Sequence, residues 1–169
     1  MLKIFIIFIV AVTPVKSWAQ LNNLGKSRCY KDEKDSSQEV FTKTEIAPSY
    51  IGQSGLGTFL SQSINFFQLN AYPVGKFLSD TAVVKFIIDQ KGMMSNLTVE
   101  RTENELFKNN LLRTFVQSAC SWRAGSFSSR DVKSWVALKV FYTIERKSDN
   151  VSLNVGYSRT TVRDILNKK

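Results

Sequence analysis

The chain has no histidine. That removes the usual general base near neutral pH and the commonest metal ligand. Its two cysteines, Cys29 and Cys120, are too few and too far apart for a zinc site. No Gly-rich loop follows a strand in the way nucleotide sites require. The Gly52-Gln53-Ser54-Gly55 stretch lacks both the spacing and the preceding strand of a nucleophile elbow. Glu100, Glu103 and Glu105 cluster, but a helix cap and solvated surface account for them. No catalytic residue, cofactor site or metal site is therefore expected, and the chain is read as non-enzymatic. Cations outnumber acids by nine, yet no run of five or more basic residues occurs, so nucleic acid is not an expected partner.

Long apolar runs are also scarce. The run of nine residues from Ile4 to Val12 follows Lys3. As a helix it rises only about 14 Å, less than half of a roughly 30 Å hydrocarbon core. With small residues Ser17 and Ala19 bracketing Trp18, residues 1–19 read as a signal peptide cleaved after Ala19. No stable membrane span is expected after cleavage, and the protein is expected in the periplasm or secreted. An oxidising compartment makes a Cys29–Cys120 bridge possible; the alternative is two free thiols, with Cys120 packed as a small apolar group.

Residues 20–45 are polar and mixed in charge and are expected as an N-terminal arm, with a short strand possible over Glu39–Ile46. Pro48 to Gly52 reads as a turn. Leu56, Phe59, Leu60, Ile64 and Phe67 recur at helical spacing and predict a helix from Gly55 to Phe67, with Ser54 at its N-cap. Asn70 to Ser79 reads as a loop. Thr81–Asp89 alternates as a strand, Asp89-Gln90-Lys91-Gly92 as a turn, and Met93–Arg101 as the returning strand. Thr102 and Glu105 have the spacing of a capping box opening a helix to about Cys120. Its stripe of Phe107, Leu111, Leu112, Phe115, Val116 and Ala119 is a core face. Trp122 to Arg130 reads as a Ser/Gly-rich loop, Ser134–Glu145 as the last strand, and residues 147–169 as a polar basic tail. The fold class is α+β: a small antiparallel sheet of about three strands, with a short fourth possible, packed on two helices.

The order Pro48-Ser49-Tyr50-Ile51-Gly52, helix, Tyr72-Pro73, strand, Asp89-Gln90-Lys91-Gly92, strand, helix, Trp122, strand resembles the TonB C-terminal domain. The hairpin Val84-Lys85-Phe86-Ile87-Ile88-Asp89-Gln90-Lys91-Gly92 and Trp122 carry most of that resemblance, which spans residues 46–146. It implies an open edge on the last strand. That edge would be Val136, Leu138, Lys139, Val140, Phe141, Tyr142, Thr143 and Ile144, and it would pair with a protein or peptide strand, such as a segment of an outer-membrane transporter. A homodimer or envelope scaffold using the same edge is the alternative. The arm Gln20–Thr44 contains no proline, so it is not the spacer of a full transducer, and energy transduction by this chain alone is not expected.

Overall fold

The computed structural model describes residues 27–31, 39–64, 75, 77–147 and 150–160. In chain order its elements are β1 (Tyr30–Lys31), β2 (Ser49–Tyr50), α1 (Gly55–Ser63), β3 (Phe77–Ile88), β4 (Met94–Glu100), α2 (Glu105–Ser118), β5 (Trp122–Arg123), β6 (Gly125–Phe127), β7 (Arg130–Val132), β8 (Ser134–Lys147) and β9 (Asn150–Arg159). The expected leader, residues 1–19, lies outside the described residues. The class is α+β, and the main sheet has five strands in the order β1-β4-β3-β8-β9. It is mixed rather than purely antiparallel, because β1 runs parallel to β4.

The centre of the sheet follows from alternation. Ala82, Val84, Phe86 and Ile88 of β3 and Val136, Leu138, Val140, Tyr142 and Ile144 of β8 point to one face, where they form a single core with Leu56, Leu60, Phe107, Leu111 and Phe115 from the helices. The other face carries Val83, Lys85, Ala137, Lys139 and Phe141. Val83 and Ala137 form a small second cluster there, and Lys85 pairs with Glu100 at 2.6 Å.

The β3–β4 turn is built by one aspartate and one glycine. The Asp89 Oδ1 accepts from the amides of Lys91 and Met93, each at 2.8 Å, and Gly92 adopts φ +77°. A Cβ on Gly92 would stand 2.5 Å from the Trp122 carbonyl oxygen. Backbone cannot yield as a side-chain tip can, so Gly92→Ala combines left-handed strain with a clash. The expected loss is about 2–3 kcal/mol. A thermal or urea midpoint equivalent to less than about 1 kcal/mol would show that the turn relaxes freely.

Several elements differ from the sequence reading. α2 is capped by Asn104, not Thr102: the Asn104 Oδ1 accepts from the Phe107 amide at 3.0 Å. The Thr102 hydroxyl is engaged elsewhere, donating to the Asp80 carboxylate and accepting from the Asn104 amide. Ser54 stands at the N-cap of α1 without a side-chain bond, and the helix ends at Ser63; Phe67 lies outside the described residues. Glu39–Ile46 forms no strand, only isolated bridges from Phe41 to Ser134 and from Ile46 to Ser126. Pro48–Gly52 is more than a turn, since β2 pairs with β5. The expected loop after Trp122 contains the β6–β7 hairpin. Its turn residues Ser128 and Ser129 both hold positive φ, and the Ser128 amide donates to Glu45 Oε2 at 3.0 Å.

The largest correction concerns the last strand. Asn150–Arg159, expected as polar tail, is β9, and it pairs with β8 without interruption from Leu138↔Arg159 to Lys147↔Asn150. Leu153 and Val155 pack against the core, which gives the segment a reason to order.

Candidate functional site

The structure contradicts the edge expected at Val136, Leu138, Lys139, Val140, Phe141, Tyr142, Thr143 and Ile144. These residues lie in β8, with β3 on one side and β9 on the other. Val136, Leu138, Val140, Tyr142 and Ile144 are core. Lys139 and Phe141 are exposed, but on the open face of the sheet rather than along an edge. The Phe141 ring covers Gly156, where an added Cβ would come within 2.4 Å of it. Tyr142 is buried against Phe107, with ring centroids 4.5 Å apart. Its hydroxyl accepts from Asn104 Nδ2 at 3.0 Å, tying the middle of β8 to the start of α2.

The edge on that side of the sheet belongs to β9. The Thr160 amide donates to the Ala137 carbonyl at 3.0 Å, which fixes the alternation of the β8–β9 ladder. Ser158, Gly156 and Asn154 turn their amides and carbonyls toward β8. Tyr157, Val155 and Leu153 turn theirs outward. Among the described residues no hydrogen bond reaches those outward groups. From Asn150 to Ser158 the strand carries no charge, no proline and no bulge. Natural edges are usually short, charged, bulged or interrupted by proline to prevent pairing. Over residues 150–158 β9 has none of these protections; its tenth residue, Arg159, is charged.

Its sequence signal is legible in retrospect. Val151, Leu153, Val155 and Tyr157 alternate with Ser152, Asn154, Gly156 and Ser158. The short polar residues on the second face made the stretch read as tail.

At the opposite edge, β1 covers only the first two positions of β4, and the Met94 amide donates to the Cys29 carbonyl at 2.8 Å. Cys29 is joined to Cys120 by a disulfide, with Cα atoms 5.0 Å apart. The bridge therefore clips β1 to the turn that follows α2.

A polar cleft of about 400 Å³ at the start of α2 is lined by Ser79, Asp80, Arg101, Glu103, Asn104 and Tyr142. Its groups serve one another: Thr102 engages Asp80, and Asn104 serves Tyr142 and the helix cap. The cleft's visible work is to fix α2 against the sheet. Among the described residues no cluster of three His, Cys, Asp or Glu side chains could hold a metal ion. No helix among them is long and apolar enough to cross a membrane. Compared with models of known families, with curated proteins and with solved structures, the chain matches none.

Proposed function

We propose that this chain is an exported, non-enzymatic strand-pairing module of the TonB C-terminal type, which takes an extended segment of another protein onto the outer side of β9. The observation that carries the reading is the outer edge of residues 150–158, which carries no charge, proline or bulge and meets no hydrogen-bond partner among the described residues. Main-chain bonds to Leu153, Val155 and Tyr157 would give affinity, and alternate side chains would give selection. The Cys29–Cys120 bridge suits an oxidising compartment. The partner that the resemblance suggests is a segment of an outer-membrane transporter. The docking strand moves one place outward from the β8 position that the resemblance implied.

Val155→Pro tests this directly. The Val155 N–H points away from β8, so proline removes no bond of the ladder while deleting a donor that an incoming strand needs. Val155→Ala serves as the control, because it loses side-chain packing and keeps the N–H. In a selection of displayed random decapeptides, the wild type and Val155→Ala are expected to enrich sequences with alternate-residue preference. Val155→Pro should bind them at least tenfold more weakly while keeping the wild-type far-UV spectrum. Selected peptides that bind Val155→Pro equally well would overturn the reading. A second copy of the chain is the competing occupant: a dimer in sedimentation equilibrium that Val155→Pro converts to monomer would replace the foreign strand with a scaffold.

A further inference from the structure

After Phe41 the chain parts from β8. The Phe41 amide donates to the Lys133 carbonyl at 2.9 Å, and the Phe41 carbonyl accepts from the Trp135 amide at 3.0 Å. This bridge is parallel and lies opposite Ser134. The chain then bends at Thr42 and leaves the edge. From the other side, the Thr160 amide donates to the Ala137 carbonyl at 3.0 Å, and β9 begins its ladder at Leu138. The Trp135 carbonyl and the Ala137 amide stand between these two segments. Strand alternation turns both away from β3. Among the described residues neither meets a hydrogen-bond partner, although Ala137 is only 5% exposed. Buried main-chain groups are rarely left so.

Both groups open into a groove of about 360 Å³. Because Phe41 and the chain after it take up the approach along β8, an extended guest is excluded and an occupant must be compact. Thr42, Lys43, Arg159 and Thr160 line the groove, and no acidic residue does. The Arg159 guanidinium donates to the Pro48 carbonyl on the groove wall, which holds it in place. A guanidinium has five N–H donors, so others remain for a ligand. Two cations and an amide N–H call for an anion. The Trp135 carbonyl adds a second demand, because it needs a donor from the same guest.

We propose that the groove binds hydrogen phosphate. One phosphate oxygen would accept from the Ala137 amide, and the P–OH would donate to the Trp135 carbonyl. The remaining oxygens would face the Arg159 guanidinium and the Lys43 ammonium. Guanidinium against phosphate is a strong, directional pairing. Selection comes from the carbonyl. Sulfate has the same tetrahedral shape but carries no proton near neutral pH, so it would set a lone pair against the Trp135 oxygen. A site built around a polar group strongly rejects an analogue that cannot pair with it. A free amino acid could supply the donor, but its ammonium would stand beside Lys43 and Arg159 with no acid to offset it. This inference is independent of the outer edge of β9.

The test titrates the full disulfide-bonded chain with sodium phosphate at constant ionic strength and follows ¹⁵N–¹H correlation spectra. Phosphate is expected to shift the Ala137 amide saturably, and sulfate should bind at least tenfold more weakly. Methyl phosphate separates a free ion from an ester. At about pH 8 it has lost its last P–OH and should bind as weakly as sulfate; below about pH 6 it regains the proton and should approach phosphate. Arg159→Gln should weaken phosphate at least tenfold, Arg159→Lys less, and Lys43→Gln a few-fold. Val155→Pro should leave this binding unchanged, which separates its failure from that of strand addition. No saturable shift at Ala137 would mean that water alone serves the two groups, and the proposal falls. Equal binding of phosphate and sulfate would reduce the groove to a patch of positive charge and overturn it, as would indifference to both Arg159→Gln and Lys43→Gln. Methyl phosphate that binds more tightly than phosphate at about pH 8 would replace the free ion with an ester and overturn the role given to Trp135.

Discussion

Replacing Cys29 and Cys120 together by serine is expected to cost about 4–5 kcal/mol of stability. The bridge joins residues 91 apart, and the entropy that a loop of this length removes from the unfolded chain corresponds to about that figure. Small domains have roughly 5–15 kcal/mol in total, so the fold would be brought close to its limit. Urea melts of the oxidised protein and the double variant measure the difference. Cys29→Ser alone should cost as much as the double variant, since either substitution opens the same ring. Adding dithiothreitol to the wild type should shift its midpoint to that of the variants. A difference below about 1 kcal/mol would show that the unfolded chain is already constrained without the bridge. The native state also contributes: the bridge holds β1 on β4 through only two residue pairs, so the variant should lose amide protection first at Met94.

Trp122→Ala is the second large effect, at about 4 kcal/mol. The indole is 4% exposed. It meets Phe86 edge-on with centroids 4.9 Å apart and Tyr50 at 5.6 Å. Its Nε1 donates to the Ser118 hydroxyl at 3.1 Å, which itself donates to the Phe115 carbonyl at 2.8 Å. Alanine would empty the junction of α2, β2 and β3 at once. Trp122→Phe should cost less, about 1–2 kcal/mol, because it keeps the ring contacts and loses the N–H. Denaturant midpoints for the two variants check the order. Equal losses would place the cost in the hydrogen bond rather than in the packing.

The parts of this fold that were legible in the sequence are those governed by local period. β3 alternates Ala82, Val84, Phe86 and Ile88 into the main core, α2 buries Phe107, Leu111 and Phe115 on one face, and Gly92 supplies the positive φ that the turn into β4 needs. The parts that were not legible depend on distant partners. Thr102 has the right spacing for a capping box, but Asp80, 22 residues away, engages its hydroxyl and the cap passes to Asn104. β1 and β2 are two residues each, too short for any period, and exist only because β4 and β5 offer edges. The sheet edge lies one strand beyond β8 for a related reason. Ser152, Asn154 and Ser158 are polar and exposed and Gly156 lies under the Phe141 ring, so this face reads as tail although Leu153, Val155 and Tyr157 carry the alternation.

The position of the covalent ring also sets how the molecule responds to tension. Residues between Cys29 and Cys120 lie inside it, whereas β5 through β9 follow it. A pull applied beyond Arg159 loads the β8–β9 ladder one pair at a time from Leu138↔Arg159, as a zipper rather than in shear. The chain behind Cys120 can pay out, while the segment holding α1, β3, β4 and α2 cannot lengthen beyond its crosslink. A partner strand seated on β9 would therefore feel a compliant outer layer mounted on an inextensible base.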